Sequence, residues 1–463
     1  MASRKVVNTS VRDLISSLPD EVLGNILSLV PTKLAASTSV LSKRWKHSLS
    51  LVNILDFDDS MLLYPNKVTD LPRSCFFDFV DNTLALLVNS QVKKFTLKCR
   101  YNLDTSRVDR WIHTVLERGF LELHLTSDED HCIDSEFFTS NTLVKLTLSH
   151  GFYLEEGGCL PNGSVFFPAL KTLTLIATGY GADYMFDSLI SGCPVLEELF
   201  LRYGDGPHGS DWIMVVSSQS IKRLTISSGY SKEKLDDYTS VLFETPSLLF
   251  LDYSGYVQEH YTVDFSSLLE ARLDLRLWES PIEFNFDYEN DVYDDGFGDV
   301  TILVAGLSNV KTLHLSPHSL EVLYSCCSSI PLFSNLTDLS FESDEKQGWQ
   351  VLPLLLKNSP ILETLVIKGL AHKVTDKCGD VCACILQKKE VGECCLWRCQ
   401  VKVLEITGYG GSSKELKQMG HFLEKLKRLE IVKVGVQQEN NNHGEYLRVT
   451  NGLMKLPRIS SKC

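Results

Sequence analysis

The sequence contains no apolar stretch approaching the ~20 residues that a membrane-spanning helix requires. Its first ten residues are polar and lead into no apolar run of the secretory-signal kind, so export is not expected. Basic clusters are missing as well. Lys and Arg number 45 against 59 Asp and Glu, a formal net charge of −14. Such a chain repels a phosphate backbone unless its cations segregate, which argues against nucleic acid and for protein partners. Catalytic signatures are also lacking: there is no Gly-x-Ser-x-Gly elbow and no His-Glu-x-x-His. Gly408-Tyr409-Gly410-Gly411-Ser412-Ser413 lacks the third glycine of a dinucleotide loop and the Lys-Ser/Thr end of a phosphate loop. No catalytic residue, cofactor or metal is therefore assigned. The 14 cysteines include no clean Cys-x-x-Cys pair. Reduced thiols in a cytoplasmic or nuclear chain are the expectation.

What is present is a repeat. From about residue 92 an apolar residue, two variable residues, an apolar residue, one variable residue and a third apolar residue recur. The copies are Val92/Phe95/Leu97, Phe120/Leu123/Leu125, Leu143/Leu146/Leu148, Leu170/Leu173/Leu175, Leu196/Leu199/Leu201, Ile221/Leu224/Ile226 and Leu248/Leu251/Tyr253. After a gap come Val310/Leu313/Leu315, Leu336/Leu339/Phe341, Leu362/Leu365/Ile367, Val401/Leu404/Ile406 and Leu426/Leu429/Ile431. The spacing matches the ~20–29 residues of leucine-rich repeats. The last two apolar positions flank one variable residue, as in a short strand with one buried face. One unit cannot bury its leucines, but stacked units share a core, which allows 463 residues to form one rod instead of several compact domains. Short helical stretches are expected between the strands, such as Asp183–Ile190, stopped by Gly192-Cys193-Pro194. The register is expected to break between about Leu268 and Val304, with Leu273 and Leu275 suggesting a strand. The acidic segment 286–296 in that gap fails as a calcium loop. Started at Asp291, it places Tyr293 and Ile302 where oxygen ligands are required.

Residues 12–57 have a different texture. Pro19, Asp20 and Glu21 suit a helix start, Leu23, Ile26, Leu27 and Val30 form an apolar stripe, and Pro31 ends it. A small-residue helix (Leu34–Val40) follows. About 45 residues without a disulfide cannot hide this much apolar surface alone. Leu14, Leu18, Leu27, Leu41 and Trp45 must therefore lean on the repeats or on another protein.

The string Leu18-Pro19-Asp20-Glu21-Val22-Leu23-x-x-Ile26-Leu27-Ser28-x-x-Pro31-Thr32-Lys33, followed by Thr38-Ser39-Val40-Leu41-Ser42-Lys43-Arg44-Trp45, resembles a plant F-box. The resemblance implies docking to the Skp adaptor of a Skp–cullin–F-box ubiquitin ligase. It is carried by Leu18, Pro19, Leu23, Ile26, Leu27, Pro31, Leu41, Arg44 and Trp45. It departs in one place, since Lys46-His47-Ser48-Leu49 follows Trp45 where relatives often have a second Trp. The repeats resemble those of plant F-box/leucine-rich-repeat proteins. Val401–Gly411 is similar to the FBD domain that ends many of them. On its own terms that segment reads as a strand, a Gly-rich turn and a helix begun near Ser413, with Leu416, Met419, Leu423 and Leu426 on one face, capping the open end of the solenoid.

The expected organisation is α/β: a three-helix F-box (10–57), a leucine-rich-repeat solenoid with parallel strands on its concave face (58–375), a Cys-rich loop and FBD-like αβ cap (376–440) and a tail (441–463). The late cluster Cys378, Cys382, Cys384, Cys394, Cys395 and Cys399 has three, one, nine, none and three intervening residues. Four thiolates could hold zinc, but buried or loop thiols are the reading kept. The variable strand residues point away from the core, so target contacts are expected from Lys145, Thr147, Thr172, Thr174, Glu198, Phe200, Arg223, Thr225, Phe250, Asp252 and His314. Phe200 and Phe250 are the suggested anchors. The resemblance implies a non-catalytic substrate receptor, binding the adaptor (and through it a cullin) and an unidentified target protein, with neither nucleic acid nor membrane. The alternative is a repeat module that binds a protein or ligand without a ligase.

Overall fold

The structure is a computed structural model of the chain, describing residues 18–40, 45–62, 74–87, 92–100, 103–133, 138–154, 165–176, 189–202, 213–227, 240–277, 298–375, 377–383, 395–437 and 443–459. It consists of two compact units, Met1–Gly179 and Tyr180–Cys463.

The first unit opens with helices α1 (Asp20–Leu27) and α2 (Thr32–Ser37), then 3-10 turns at Thr38–Val40 and Trp45–Leu51. Pro19 occupies the N-cap of α1 and not its first turn, which leaves Asp20 and Glu21 at the positive end of the helix. The turn Trp45–Leu51 lies so close to α1 that a Cβ on Gly24 would sit 2.3 Å from the Leu51 carbonyl oxygen. Five parallel strands follow, adjacent in chain order: β1 (Ile54–Asp58), β2 (Lys94–Cys99), β3 (Glu122–Ile133), β4 (Lys145–Leu154) and β5 (Thr172–Ile176). The repeat thus begins ahead of residue 92, with Val52, Leu55 and Phe57 buried in the same phase. The helices are stitched to this first strand: the Ser28 hydroxyl accepts from the Asn53 N–H at 2.9 Å and the Thr32 hydroxyl from the Asp56 N–H at 2.7 Å. Helices α3 (Ser74–Leu86) and α4 (Thr105–Glu117) occupy the first two interstrand spans.

Among the described residues, the main sheet of the second unit has nine parallel strands: β6 (Glu198–Arg202), β8 (Arg223–Ser227), β10 (Phe250–Tyr256), β12 (Glu270–Arg276), β13 (Thr312–Leu315), β14 (Asp338–Glu342), β15 (Thr364–Lys368), β16 (Val403–Tyr409) and β17 (Ile431–Val436). Through β16 the apolar positions of the motif are the core. Leu224, Leu251, Leu339, Leu365 and Leu404 have almost no exposed surface, near 0–1% each. One backbone device marks each step: a single carbonyl accepts two successive N–H groups of the next repeat. Lys222 accepts Leu249 and Phe250, Leu249 accepts Leu269 and Glu270, Leu269 accepts Lys311 and Thr312, and Lys311 accepts Thr337 and Asp338. The chain is therefore pinned at the strand entrance of each repeat, which keeps the leucines in phase.

Three sequence-based expectations fail. The last copy, expected at Leu426/Leu429/Ile431, is out of phase: the register sets Val432 beside Leu404 and Val434 beside Ile406, which leaves Ile431 exposed. Helices do not fill every span between strands. Across 213–264 the backs of the repeats are strands β7 (Ile213–Ser217), β9 (Ser240–Glu244) and β11 (His260–Asp264), which form a second parallel sheet in the order β11-β9-β7. These segments alternate and are rich in β-branched and aromatic residues, with Met214, Val216, Val241, Phe243 and Tyr261 buried. Nor does the register break at Leu268. Leu268, Ala271 and Leu273 are a complete copy, and β12 pairs in phase with β10 and β13. Ala271 is as buried as the leucines it replaces, so the copy is present without a large residue at its centre. The helical stretch expected at Asp183–Ile190 lies mostly outside the described residues, as does the acidic segment 286–296.

Towards the C-terminus, helices α5 (Thr301–Gly306), α6 (Pro317–Ser325) and α7 (Leu352–Lys357) alternate with strands. Helix α9 (Ser413–Lys425) follows a short α8 (Cys395–Arg398) and is preceded by Ser412 in a reciprocal capping box with Glu415. Met419, Leu423 and Leu426 are buried and Leu416 is half-buried, as the helical spacing predicts. A last helix, α10 (His443–Met454), approaches α9, with the Ile459 N–H donating to the Leu423 carbonyl.

Candidate functional site

The head segment sorts its apolar residues into two sets. Leu23 and Leu27 of α1, Ala35 of α2 and Trp45 are buried. Val22, Ile26, Leu29, Val30, Leu34 and Val40 are exposed, and they make up six of the 22 large exposed apolar residues among the described ones. The single stripe read from the sequence is thus split. Leu23 and Leu27 face inward, while Ile26 and Val30 face outward, as do Leu29 and Leu34. Of the remaining motif residues, Leu18 and Pro31 are half-buried and Pro19 is exposed, whereas Leu41 and Arg44 lie outside the described residues. Gly24 went unnoticed in the sequence, because its role is a close approach to a segment 27 positions away.

The strand register lines the variable residues up in rows. In the first unit, Lys94, Glu122, Lys145 and Thr172 form one row and Thr96, His124, Thr147 and Thr174 the next. In the second, Glu198, Arg223, Phe250, Glu270 and Thr312 stand beside Phe200, Thr225, Asp252, Arg272 and His314. None of the eleven target-face residues named from the sequence is buried. Glu270 and Arg272 were missed because Ala271 concealed their repeat. They alter the reading of the anchor: the Arg223 guanidinium lies 4.0 Å from the Phe250 ring centroid and that of Arg272 5.3 Å. Phe250 is a platform for two cations, not a free aromatic plug. Glu270 holds Arg272 at 2.9 Å and His314 at 3.5 Å.

Burial and the facing Lys94 and Lys145 push His124 down to about 4, so it is neutral at physiological pH. Burial and Arg272 also lower His314, and burial raises Asp252. These rows display mixed charge, aromatic surface and hydrogen-bonding groups, which suits recognition of a polypeptide surface.

The late cysteines separate in space. Cys378 and Cys382 come together with His372, their donor atoms within 4.8 Å of one another. A hydrogen bond from Cys382, against the opposing effect of burial, draws the Cys378 thiol well below its usual range, and His372 and Thr375 add to the effect. Cys395 instead bonds the Asp380 carboxylate at 2.9 Å, and Cys399 bonds the Cys395 carbonyl at 3.2 Å. Cys384 and Cys394 lie outside the described residues. His372 was overlooked because thiols alone were counted as donors.

Among the described residues, no helix is long and apolar enough to cross a membrane. The F-box domain family model matches residues 15–57. The model described as FBD-associated F-box protein At5g56370, LRR repeats, matches residues 108–248. Curated relatives from Arabidopsis thaliana cover nearly the whole chain. The putative F-box protein At1g21990 is 53% identical over 98% of this chain and 97% of its own length. The F-box protein At4g27050 is 52% identical over 97% of this chain and 98% of its own. The F-box/LRR-repeat protein At1g48400 is 51% identical, over 99% of both. With an N-terminal F-box, parallel leucine-rich repeats and relatives of this identity along its whole length, the chain belongs to the plant F-box/leucine-rich-repeat family.

Proposed function

We propose that this protein is the substrate-recognition subunit of a Skp–cullin–F-box ubiquitin ligase. In this reading the F-box binds the Skp adaptor, the repeat strands bind the target, and no residue of this chain performs catalysis. The observation that carries the reading is the outward apolar set Val22, Ile26, Leu29, Val30 and Leu34. Leu23, Leu27 and Ala35 already supply the inward packing, so these five residues are not needed to hold the helices to the repeats. Large apolar side chains left exposed along a short helix, the turn after it and the next helix mark a protein contact. Burying it against the adaptor removes from water residues worth ~1.5–3 kcal/mol each when fully covered.

The chemistry of such a subunit is proximity. A target held by the rows around Arg223, Phe250, Arg272 and His314 experiences a high effective concentration of the charged conjugating enzyme, without any nucleophile from this chain.

The test is co-expression of the full chain with a plant Skp adaptor, beside an Ile26→Asp/Leu29→Asp variant. Both positions are exposed, so the variant retains the parent's circular dichroism and melting temperature. The parent co-purifies with the adaptor in equal amounts and the folded variant does not. A parent that is folded yet binds no adaptor isoform, or a variant that binds equally well, would refute the proposal.

A further inference from the structure

We propose that His372, Cys378 and Cys382 form a binding site for a thiophilic divalent cation, with zinc as the ion that suits it. Their Nε2 and two Sγ atoms already lie within 4.8 Å of one another. A tetrahedral zinc ion, with Zn–S near 2.3 Å and Zn–N near 2.0 Å, holds its donors about 3.4–3.8 Å apart. Filling the site therefore requires only small side-chain adjustments.

The imidazole is oriented as a ligand should be. Its Nδ1–H donates to the Leu370 carbonyl at 3.1 Å, which leaves the Nε2 lone pair directed at the Cys382 sulfur, 3.0 Å away. A metal-bound histidine characteristically gives its other N–H to a carbonyl or carboxylate in this way. The ring is also clamped in plane. Trp349 stacks on it with centroids 3.9 Å apart and planes 14° apart, and the indole N–H is held by the Ser343 hydroxyl at 3.0 Å.

The two sulfurs are equally well placed. Cys378 is fully buried and Cys382 nearly so. The Thr375 N–H points at the Cys378 sulfur from 3.4 Å, and the Thr375 hydroxyl lies at the same distance. The turn that carries both cysteines is held from outside. Gly379 adopts φ +62°, and a Cβ there would strike the Pro353 ring at 2.8 Å. Gln418 of α9, itself buried, donates to the Val381 carbonyl and accepts from the Ala383 N–H, each at 2.8 Å. His421 donates to the Asp380 carbonyl at 2.7 Å. A donor set whose backbone is locked by a neighbouring helix is preorganised.

Charge and softness choose the ion. Two thiolates neutralise a divalent cation, which lets the charge stay in a buried pocket. A sulfur-rich donor set selects zinc over magnesium or calcium. Three protein donors leave one tetrahedral position for water or a further side chain. When bound, the ion would join the loop after β15 to the turn packed on α9, as a crosslink that survives in a reducing compartment where a disulfide would not.

The experiment uses the full-length chain without a histidine tag, expressed in zinc-supplemented medium and purified without chelator. Mass spectrometry of the metal content reads one zinc per chain. Exchange for Co²⁺ gives thiolate-to-cobalt charge-transfer bands and the intense d–d bands of a tetrahedral site. Cys378→Ser/Cys382→Ser abolishes both signals, whereas Cys193→Ala, a buried cysteine elsewhere, leaves them unchanged. Cys382→His retains the metal with a weaker charge-transfer band, an outcome that a purely packing role would not produce. A folded parent without stoichiometric metal and without the cobalt spectrum overturns the proposal. So does full metal retention in the double serine variant, or peptide mapping that finds Cys378 and Cys382 joined as a disulfide.

Discussion

Gly24 offers a sharp test of how the F-box is assembled. In an isolated helix, Gly→Ala is stabilising by roughly 0.5–1 kcal/mol, because alanine loses less backbone entropy on folding. The structure predicts the opposite sign at this position. An alanine Cβ would lie 2.3 Å from the Leu51 carbonyl oxygen and 3.1 Å from both the Leu51 carbonyl carbon and its Cβ. The obstructing atom is backbone, so no rotamer change relieves it, and α1 must move outward by about 1 Å against its packing. Overpacking of this kind costs ~1–3 kcal/mol, which exceeds the helix-propensity gain. A net loss of about 1–2 kcal/mol corresponds to a 5–30-fold rise in the open population of the helix. Hydrogen exchange of the α1 amides in the full chain reads this directly, with the exposed Glu21→Ala as a control for changes on the same helix. Gly24→Ala exchanges faster by that factor and binds the adaptor more weakly, because α1 carries Ile26 and the turn after it carries Leu29. Unchanged or slower exchange in Gly24→Ala would show that the contact with Leu51 is looser than the structure has it, and would refute the reasoning.

Two further outcomes follow from other parts of the fold. His124 is held near 4 when folded and titrates near 6.5 when unfolded, so its contribution is fully present above pH 6.5 and declines as pH falls towards 4. His124→Gln removes that proton uptake, so the stability of the variant relative to the parent rises between pH 7 and pH 5 in urea titrations; parallel pH profiles would contradict the assignment. Ser412→Ala breaks the capping box at the start of α9 and costs about 1 kcal/mol, seen as roughly fivefold faster exchange of the first-turn amides of that helix and no change in α4.

The repeat was legible because its signal is redundant. A missing leucine in one copy is outvoted by its neighbours, and the leucine phase reappears as the register of β8, β10, β13, β14, β15 and β16. Legibility failed where a single residue departed from type. Ala271 concealed a whole repeat, and with it Glu270 and Arg272, although the paired N–H bonds to Leu249 and Leu269 keep that repeat in phase. The sequence suggests short helical stretches between the strands, because a short apolar run carries no clear period. Alternation over five residues such as Ile213–Ser217 resolves into a strand only when Ser240–Glu244 pairs alongside it.

The amino-acid sequence by itself determined the family, the phase of most of the parallel strands, the inward and outward alternation along those strands and the position of the head. All of these are local or periodic properties of the chain. Only the tertiary structure decided which apolar residues of the head turn outward, since Ile26 and Leu27 are neighbours whose fates depend on where the repeats and the Trp45–Leu51 turn lie. It also decided that Phe250 is covered by two arginines, one from the strand on each side. Finally, it brought His372 to Cys378 and Cys382. Those three residues meet because Trp349 and Gln418, which are distant from them along the chain, hold the ring and the turn in place, and no spacing rule counts a ligand supplied by such packing.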